Sequence, residues 1–277
     1  MTGLRIERVL NEDIVITSFK NQKKFVIGKG IGADKRNGDP IDDNEIDKVI
    51  DMNDDMAQYE EFLLLVPQKI IRLTEDIIMH AEDYLQTKLS DAVHLQLADH
   101  LSFLLNDPPK HVTIQNGLIE EISILYAKEF QVGLWALRSI KERFDRELPE
   151  EEAGHIAIFI HSGRWKHEGT DKSVKQVAII RDLVWKIEKD YKKVLSKDNV
   201  AYQHLVTHLN RAIQRTREQS EFNMVDKNML VMIQEKYQKA YQCAVDMTTH
   251  LSEKCGIHFP SSEIGYLTLH IHRAAKA

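Results

Sequence analysis

The sequence predicts a multidomain chain, β then all-α: a small antiparallel β module followed by two homologous helical bundles. Three observations carry this. The first fifty or so residues fall into short runs of β-branched and aromatic residues in near alternation; after Asp55 glycine and proline become scarce and apolar residues recur at three and four; and the helical part repeats itself.

The β module reads as LRIERVL, DIVITSF and KKFVIGKG, parted by turns at Asn11-Glu12 and Lys20-Asn21-Gln22, with EIDKVIDM as a candidate fourth strand. A sheet of about 55 residues is marginal as a lone monomer, so self-association is expected. Beyond it, IIRLTEDIIMHAEDYL and VKQVAIIRDLVWKIEKDYKKVL are amphipathic helices. An offset of 111 residues lays Tyr126 on Tyr237, Phe130 on Tyr241, Pro149 on Pro260, Glu152 on Glu263, Gly154 on Gly265 and His161 on His272. Nearer the start of each unit the offset is 108, which aligns LADHLSFLL with LVTHLNRAI and His100 with His208. A three-residue loop difference reconciles the two. HSGRWKHEGTD, with two glycines and little apolar content, is the expected junction.

Composition is that of a soluble protein, 43% hydrophobic and 29% charged, with no apolar run long enough to span a membrane and no secretory signal at the N-terminus. Stable membrane insertion is not expected. Cys243 and Cys255 are the only cysteines and lie in a stretch read as polar helix, so reduced thiols and a cytoplasmic protein are expected. The net charge is −6, which argues against a chain that binds polyanions along its length, but residues 1–38 carry eight basic against four acidic side chains. Only the first module is basic.

Within it, FVIGKGIGADKRNGD concentrates four glycines and three basic residues, a composition suited to a phosphate-bearing partner. Gly28, Gly30 and Ala33 satisfy the letter of a dinucleotide fingerprint, but no helix can open in DKRNGDPIDD, and no P-loop fits around Lys29 or Lys35. What remains is a strand running into a basic glycine turn.

Thirteen histidines are many. His100 and His208 coincide on the repeat, and His270 stands in LTLHIHRA near the C-terminus. Imidazole is a nucleophile near neutral pH and can accept a phosphoryl group, although a lone helical histidine also serves well in packing or capping. His204 and His208 form an i,i+4 pair, but no HExxH or carboxylate-rich frame surrounds them, so neither a metal nor a cofactor is expected.

With a small β module, a basic glycine turn and two repeated helical units bearing His in DHL and THL, the sequence resembles, over essentially its whole length, the BglG/SacY/LicT family of bacterial transcriptional antiterminators. The resemblance implies a co-antiterminator (CAT) RNA-binding domain at 1–56, a linker at 57–66, and PTS-regulation domains PRD1 at 67–170 and PRD2 at 171–277. It implies a homodimer that grips an RNA hairpin in an mRNA leader, stabilises it against a terminator, and breaks no bond. Matched position by position, the RNA contacts are Asn11, Gly28, Lys29, Gly30, Lys35 and Arg36, with Asn side chains, glycine amides and Lys/Arg on offer. The phosphoacceptors are His100, His208 and His270. The phosphocarrier HPr would act on PRD2 to activate and a sugar-specific permease on PRD1 to inhibit, so that sugar availability sets the output.

Three positions depart from the family pattern: Asn11-Glu12-Asp13 where three asparagines are common, Ala33 where an aromatic usually follows the glycines, and Phe159 at the repeat position of His270. Two rivals are a PRD-containing DNA-binding activator, which needs a helix-turn-helix that the strand-rich start lacks, and a helical metal-dependent phosphohydrolase using Asp99-His100 and His204/His208.

Overall fold

The computed structural model describes residues 4–19, 22–51, 66–106, 118–164, 170–220 and 226–277. The expected linker at 57–66 falls almost wholly outside them. The described residues carry a four-stranded sheet and then ten helices, the β-then-α order that the sequence predicts.

The strands are β1 (Ile6–Asn11), β2 (Ile14–Phe19), β3 (Gln22–Ile27) and β4 (Lys48–Asp51), antiparallel neighbours in the order 1-2-3-4. Alternation gives the sheet two apolar faces. Leu4, Ile6, Val15, Val26, Ile31 and Ile41 form one core. Ile14, Ile16, Phe25 and Ile27, paired across β2 and β3 as Ile14 with Ile27 and Ile16 with Phe25, are buried on the other. The third strand ends earlier than its sequence suggests, because Gly30 turns the chain at φ +73°. The fourth starts later, because Asp42 caps a 3₁₀ turn at Asp43–Glu45.

The helices are α1 (Gln68–Leu85), α2 (Ala92–Asn106), α3 (Ile119–Leu125), α4 (Ala127–Phe144), α5 (Glu151–Gly163), α6 (Thr170–Tyr191), α7 (Val200–Arg217), α8 (Lys227–Lys236), α9 (Gln238–Cys255) and α10 (Ser261–Lys276). Each long amphipathic run buries one stripe: Ile70, Leu73, Ile77 and Ala81 on α1, and Val177, Ile180, Val184 and Ile187 on α6. None is long and apolar enough to cross a membrane.

The sequence repeat is a structural repeat. A short helix meets a long one at Tyr126 (φ −120°, ψ 43°) and again at Tyr237 (φ −124°, ψ 44°). The Tyr126 ring stacks on His161 at 3.8 Å between centroids, and Tyr237 meets His272 at 4.4 Å. Glu82 caps Leu89 N–H, and Glu188 caps Leu195 N–H in the same way.

Packing divides the chain into two compact units. One holds residues 1–112, 135–148 and 162–167; the other holds 113–134, 149–161 and 168–277. In the second, α3 lies on α6 and α7: Ile124 and Leu125 pack against their core, and the buried Glu121 accepts the Tyr202 hydroxyl. Cys243 is buried in that core and not in a polar setting as its sequence context implies, and burial pushes its thiol up to about 12. Cys255 is exposed, and both are free.

Candidate nucleic-acid interface and regulatory histidines

The β1–β2 turn and the glycine turn after β3 are built as one object. The Asn11 side-chain oxygen accepts the N–H groups of Asp13 and Ile14, both at 2.9 Å, closing the two-residue turn between β1 and β2. The Gly28 N–H then bonds Asp13 O at 3.0 Å, Gly32 N–H bonds Glu12 O at 2.9 Å, and Gly30 N–H bonds the Asp13 carboxylate at 2.7 Å. Contact is closest at two glycines. A Cβ on Gly28 would stand 1.8 Å from Glu45 O, and one on Gly32 would stand 2.2 Å from Asn11 O.

Two expectations need correction. The Gly28 and Gly30 amides are taken by Asp13 and not offered to RNA; Gly28 serves close approach and Gly30 the positive φ of the turn instead. Asp13, read as an acidic departure on the binding face, is not on that face: its side chain is 3% exposed. It also pairs with Arg72 on α1, fifty-nine residues away. Burial raises the Asp13 pKa, but Arg72 and the Gly30 N–H outweigh it and hold the carboxyl below its usual range.

The basic residues differ in availability. Lys29 and Arg36 are exposed, with their backbone N–H groups tied to Asp47 at 3.2 Å and Asp39 at 2.7 Å, so each side chain stands on a fixed backbone. Lys35 is half-buried and its ammonium is engaged by Glu45 at 2.8 Å. Ala33 is exposed between them.

In the second unit, His208 on α7 and His270 on α10 stack with ring centroids 4.6 Å apart and 27° between planes. Tyr266, one turn before His270, lies 6.1 Å from the His208 ring. His208 Nε2 approaches the fully buried Glu263 Oε2 at 3.0 Å, at an angle that makes no hydrogen bond, so both atoms are buried without one. Arg215 donates to the other Glu263 oxygen at 3.3 Å. Burial, then the neighbouring His208, Arg273 and His204, push the His270 pKa down to about 4, against a weaker upward pull from Glu263. At neutral pH His270 is therefore an uncharged imidazole with a lone pair, the state in which the ring is a nucleophile. His204 is exposed and makes no such stack.

His100 is half-buried on α2 in the first unit. On α5 in the second unit, the repeat counterparts of Glu263 and Tyr266 are Glu152 and His155, and the His155 Nδ1 sits 2.9 Å from Glu152. Phe159 occupies the place of His270. Glu263 and Arg215 were not singled out in the sequence, although the alignment of Glu152 with Glu263 carried the signal for the first.

The PRD domain model matches residues 75–163 and 181–274, and the CAT RNA binding domain model matches residues 4–58. Transcription antiterminator LicT of Bacillus subtilis (strain 168) is 28% identical over 276 residues, 99% of each chain. The beta-glucoside operon antiterminator of Dickeya chrysanthemi is 29% identical over 98% of this chain and 96% of its own. The crystal structure of GlcT CAT-PRDI aligns with a TM-score of 0.53 at 30% identity, over 58% of this chain and 98% of that one.

Proposed function

The chain belongs to the BglG/SacY/LicT family of transcriptional antiterminators, with a CAT RNA-binding domain and two PRD domains, and we propose that it works as a phosphorylation-controlled RNA clamp. The first module grips a hairpin in an mRNA leader, and its hold denies the terminator the strand it needs, so polymerase continues. The chain is a regulator, breaks no bond, and acts in the cytoplasm as a homodimer. In the sheet order β1 and β4 are the outer strands; the start of β1 is already bonded at Ile6 by Gly38 and Asp39, so pairing between copies would use β1 beyond Ile6 or β4.

The observation that carries this reading is the rigid double turn with Lys29 and Arg36 exposed beside Asn11. Cationic side chains on a fixed backbone meet phosphates without ordering a loop first. Gly28 and Gly30 hold the turn in shape, and Lys35 shares its charge with Glu45.

Control comes from His100, His208 and His270 as phosphoacceptors, with HPr as donor to the second bundle and a sugar-specific PTS permease as donor to the first. A phosphoryl group on His208 would set a dianion against the buried Glu263 carboxylate, so the His208–Glu263–Arg215 arrangement could not survive and Arg215 would be drawn to the phosphate. Domain limits of 1–56, 67–170 and 171–277 complete the proposal.

In vitro transcription across the leader tests it. Readthrough should rise when the purified chain is added and rise further after incubation with the general phosphocarriers. Readthrough indifferent to the chain would refute the antitermination reading.

A further inference from the structure

The backbone that carries Lys29 is held at three successive amides. Gly28 N–H bonds the Asp13 carbonyl oxygen at 3.0 Å, Lys29 N–H bonds the Asp47 carboxylate at 3.2 Å, and Gly30 N–H bonds the Asp13 carboxylate at 2.7 Å. Two aspartates thus fix the residue from which the lysine extends. Both are tied in turn to α1, the helix in which the first PRD match begins. Asp13 is tied directly, since its second carboxylate oxygen accepts from Arg72 Nε. Asp47 is tied through its neighbour, since Lys48 pairs with Glu82 at 3.7 Å. A cavity of about 420 Å³ has Gly28 and Lys29 on one wall and Ile71, Ile78 and Met79 on another, so α1 stands directly behind the turn.

The two ties differ in weight. At 3.7 Å the Lys48–Glu82 pair is too long for a hydrogen bond, and Glu82 also serves Lys88 at 2.6 Å and Leu89 N–H at 3.0 Å. Asp13 depends on Arg72 more closely. The Asp13 side chain is 3% exposed against 47% for Arg72. Without the guanidinium the carboxylate becomes a buried, uncompensated charge, whereas the guanidinium can be solvated without the carboxylate. The cost of that stranded charge falls on the group it still holds, the Gly30 N–H. The Glu82 and Glu188 caps place Ala178 at the repeat position of Arg72, so the helical repeat itself does not call for a cation there.

We propose that Arg72 is a positioning residue of the RNA site: by holding the Asp13 carboxylate it fixes the Gly28–Gly30 backbone from which Lys29 meets phosphate, without touching RNA itself. This rests on the RNA reading of the first module and adds the residue through which α1 reaches that site.

Leader-hairpin binding by the full chain tests it, measured against salt at a temperature where each variant's thermal melt shows it folded. Arg72→Gln should weaken binding by about tenfold and leave the slope of log K against log salt unchanged, because no phosphate contact is lost. Asp13→Asn, which keeps an acceptor for Gly30 without the charge, should weaken binding less. Adding it to Arg72→Gln should bring the affinity back to that of Asp13→Asn alone. Arg143→Gln, which breaks the pair between α4 and Asp76 of α1, should bind as the unsubstituted chain does. Should Arg72→Gln not fold, Arg72→Lys, which keeps the charge and loses the Nε donor, is read by the same criteria with a smaller loss expected. A slope lowered by about 0.7–0.9 would mean that Arg72 meets a phosphate itself. An affinity of the double variant below that of Asp13→Asn would mean that it acts without Asp13. Either result overturns the assignment, as does an unchanged affinity in Arg72→Gln or an equal loss in Arg143→Gln. A chain that binds no hairpin refutes the RNA reading itself; loss of binding in Lys29→Ala but not in Arg72→Gln refutes only the role of Arg72.

Discussion

Asp13 ties together the β1–β2 turn, the glycine turn and α1 through its bonds to Gly30 and Arg72. Removing the carboxylate strands a backbone N–H and a guanidinium, so Asp13→Ala should cost about 1–3 kcal/mol in urea unfolding, and Asp13→Asn, which keeps an oxygen for Gly30, should cost less. The sign of its pH dependence follows from the lowered folded pKa. The contribution is present above the unfolded value near 3.9 and is lost as pH falls through the folded one. The glycines rank themselves. Gly28→Ala and Gly32→Ala drive a methyl into backbone oxygens and should cost most in stability and RNA affinity. Gly30→Ala meets open space and should cost about 1 kcal/mol, for its positive φ alone. Thermal melts of the three variants would show the reverse order if the turn were loosely packed.

At the scale of elements, α10 buries Glu263 and holds the half-buried His270 beside the core residues Leu267 and Ile271. Because the folded His270 pKa lies near 4, below the unfolded value near 6.5, the unfolded chain binds the extra proton between them. Stability should therefore fall as pH drops from about 6.5 towards 4, and His270→Phe, which copies the residue that the first bundle has at Phe159, should flatten that slope. An unchanged slope in urea titrations at several pH values would place the buried proton-sensitive group elsewhere. The repeat made much of this legible: Tyr126 and Tyr237, Pro149 and Pro260, and Glu152 and Glu263 each recur because each bundle needs the same kink, helix start and buried acid. Strand ends were less so, since Ile27 stops β3 only because Gly30 must turn. The Asp13–Arg72 pair could not be read, because two ordinary surface-type residues fifty-nine apart carry no periodic signal. Nor could the engagement of Lys35 by Glu45, which depends on a 3₁₀ turn that propensity does not favour.

For the whole molecule, Phe159 stands at the repeat position of His270, so on the proposed reading the two bundles are unequal receivers of phosphate. Permease-dependent label should enter the first bundle at His100 alone, so His100→Ala should abolish it, and Phe159→His should create a second acceptor; peptide mapping that still finds label at His155 or His161 in His100→Ala would contradict this. The second bundle should carry one phosphoryl group at a time on the stacked His208–His270 pair, since two dianions at a 4.6 Å ring separation repel strongly. The proposed regulation has an output only if the first module holds RNA through its exposed cations. The salt dependence of leader-hairpin binding by the full chain, compared with Lys29→Ala and Arg36→Ala, reads that directly. Each substitution should weaken binding and lower the slope of log K against log salt by about 0.7–0.9, the release of one counterion. Affinity and slope identical to the unsubstituted chain in both variants would mean that RNA is held somewhere else.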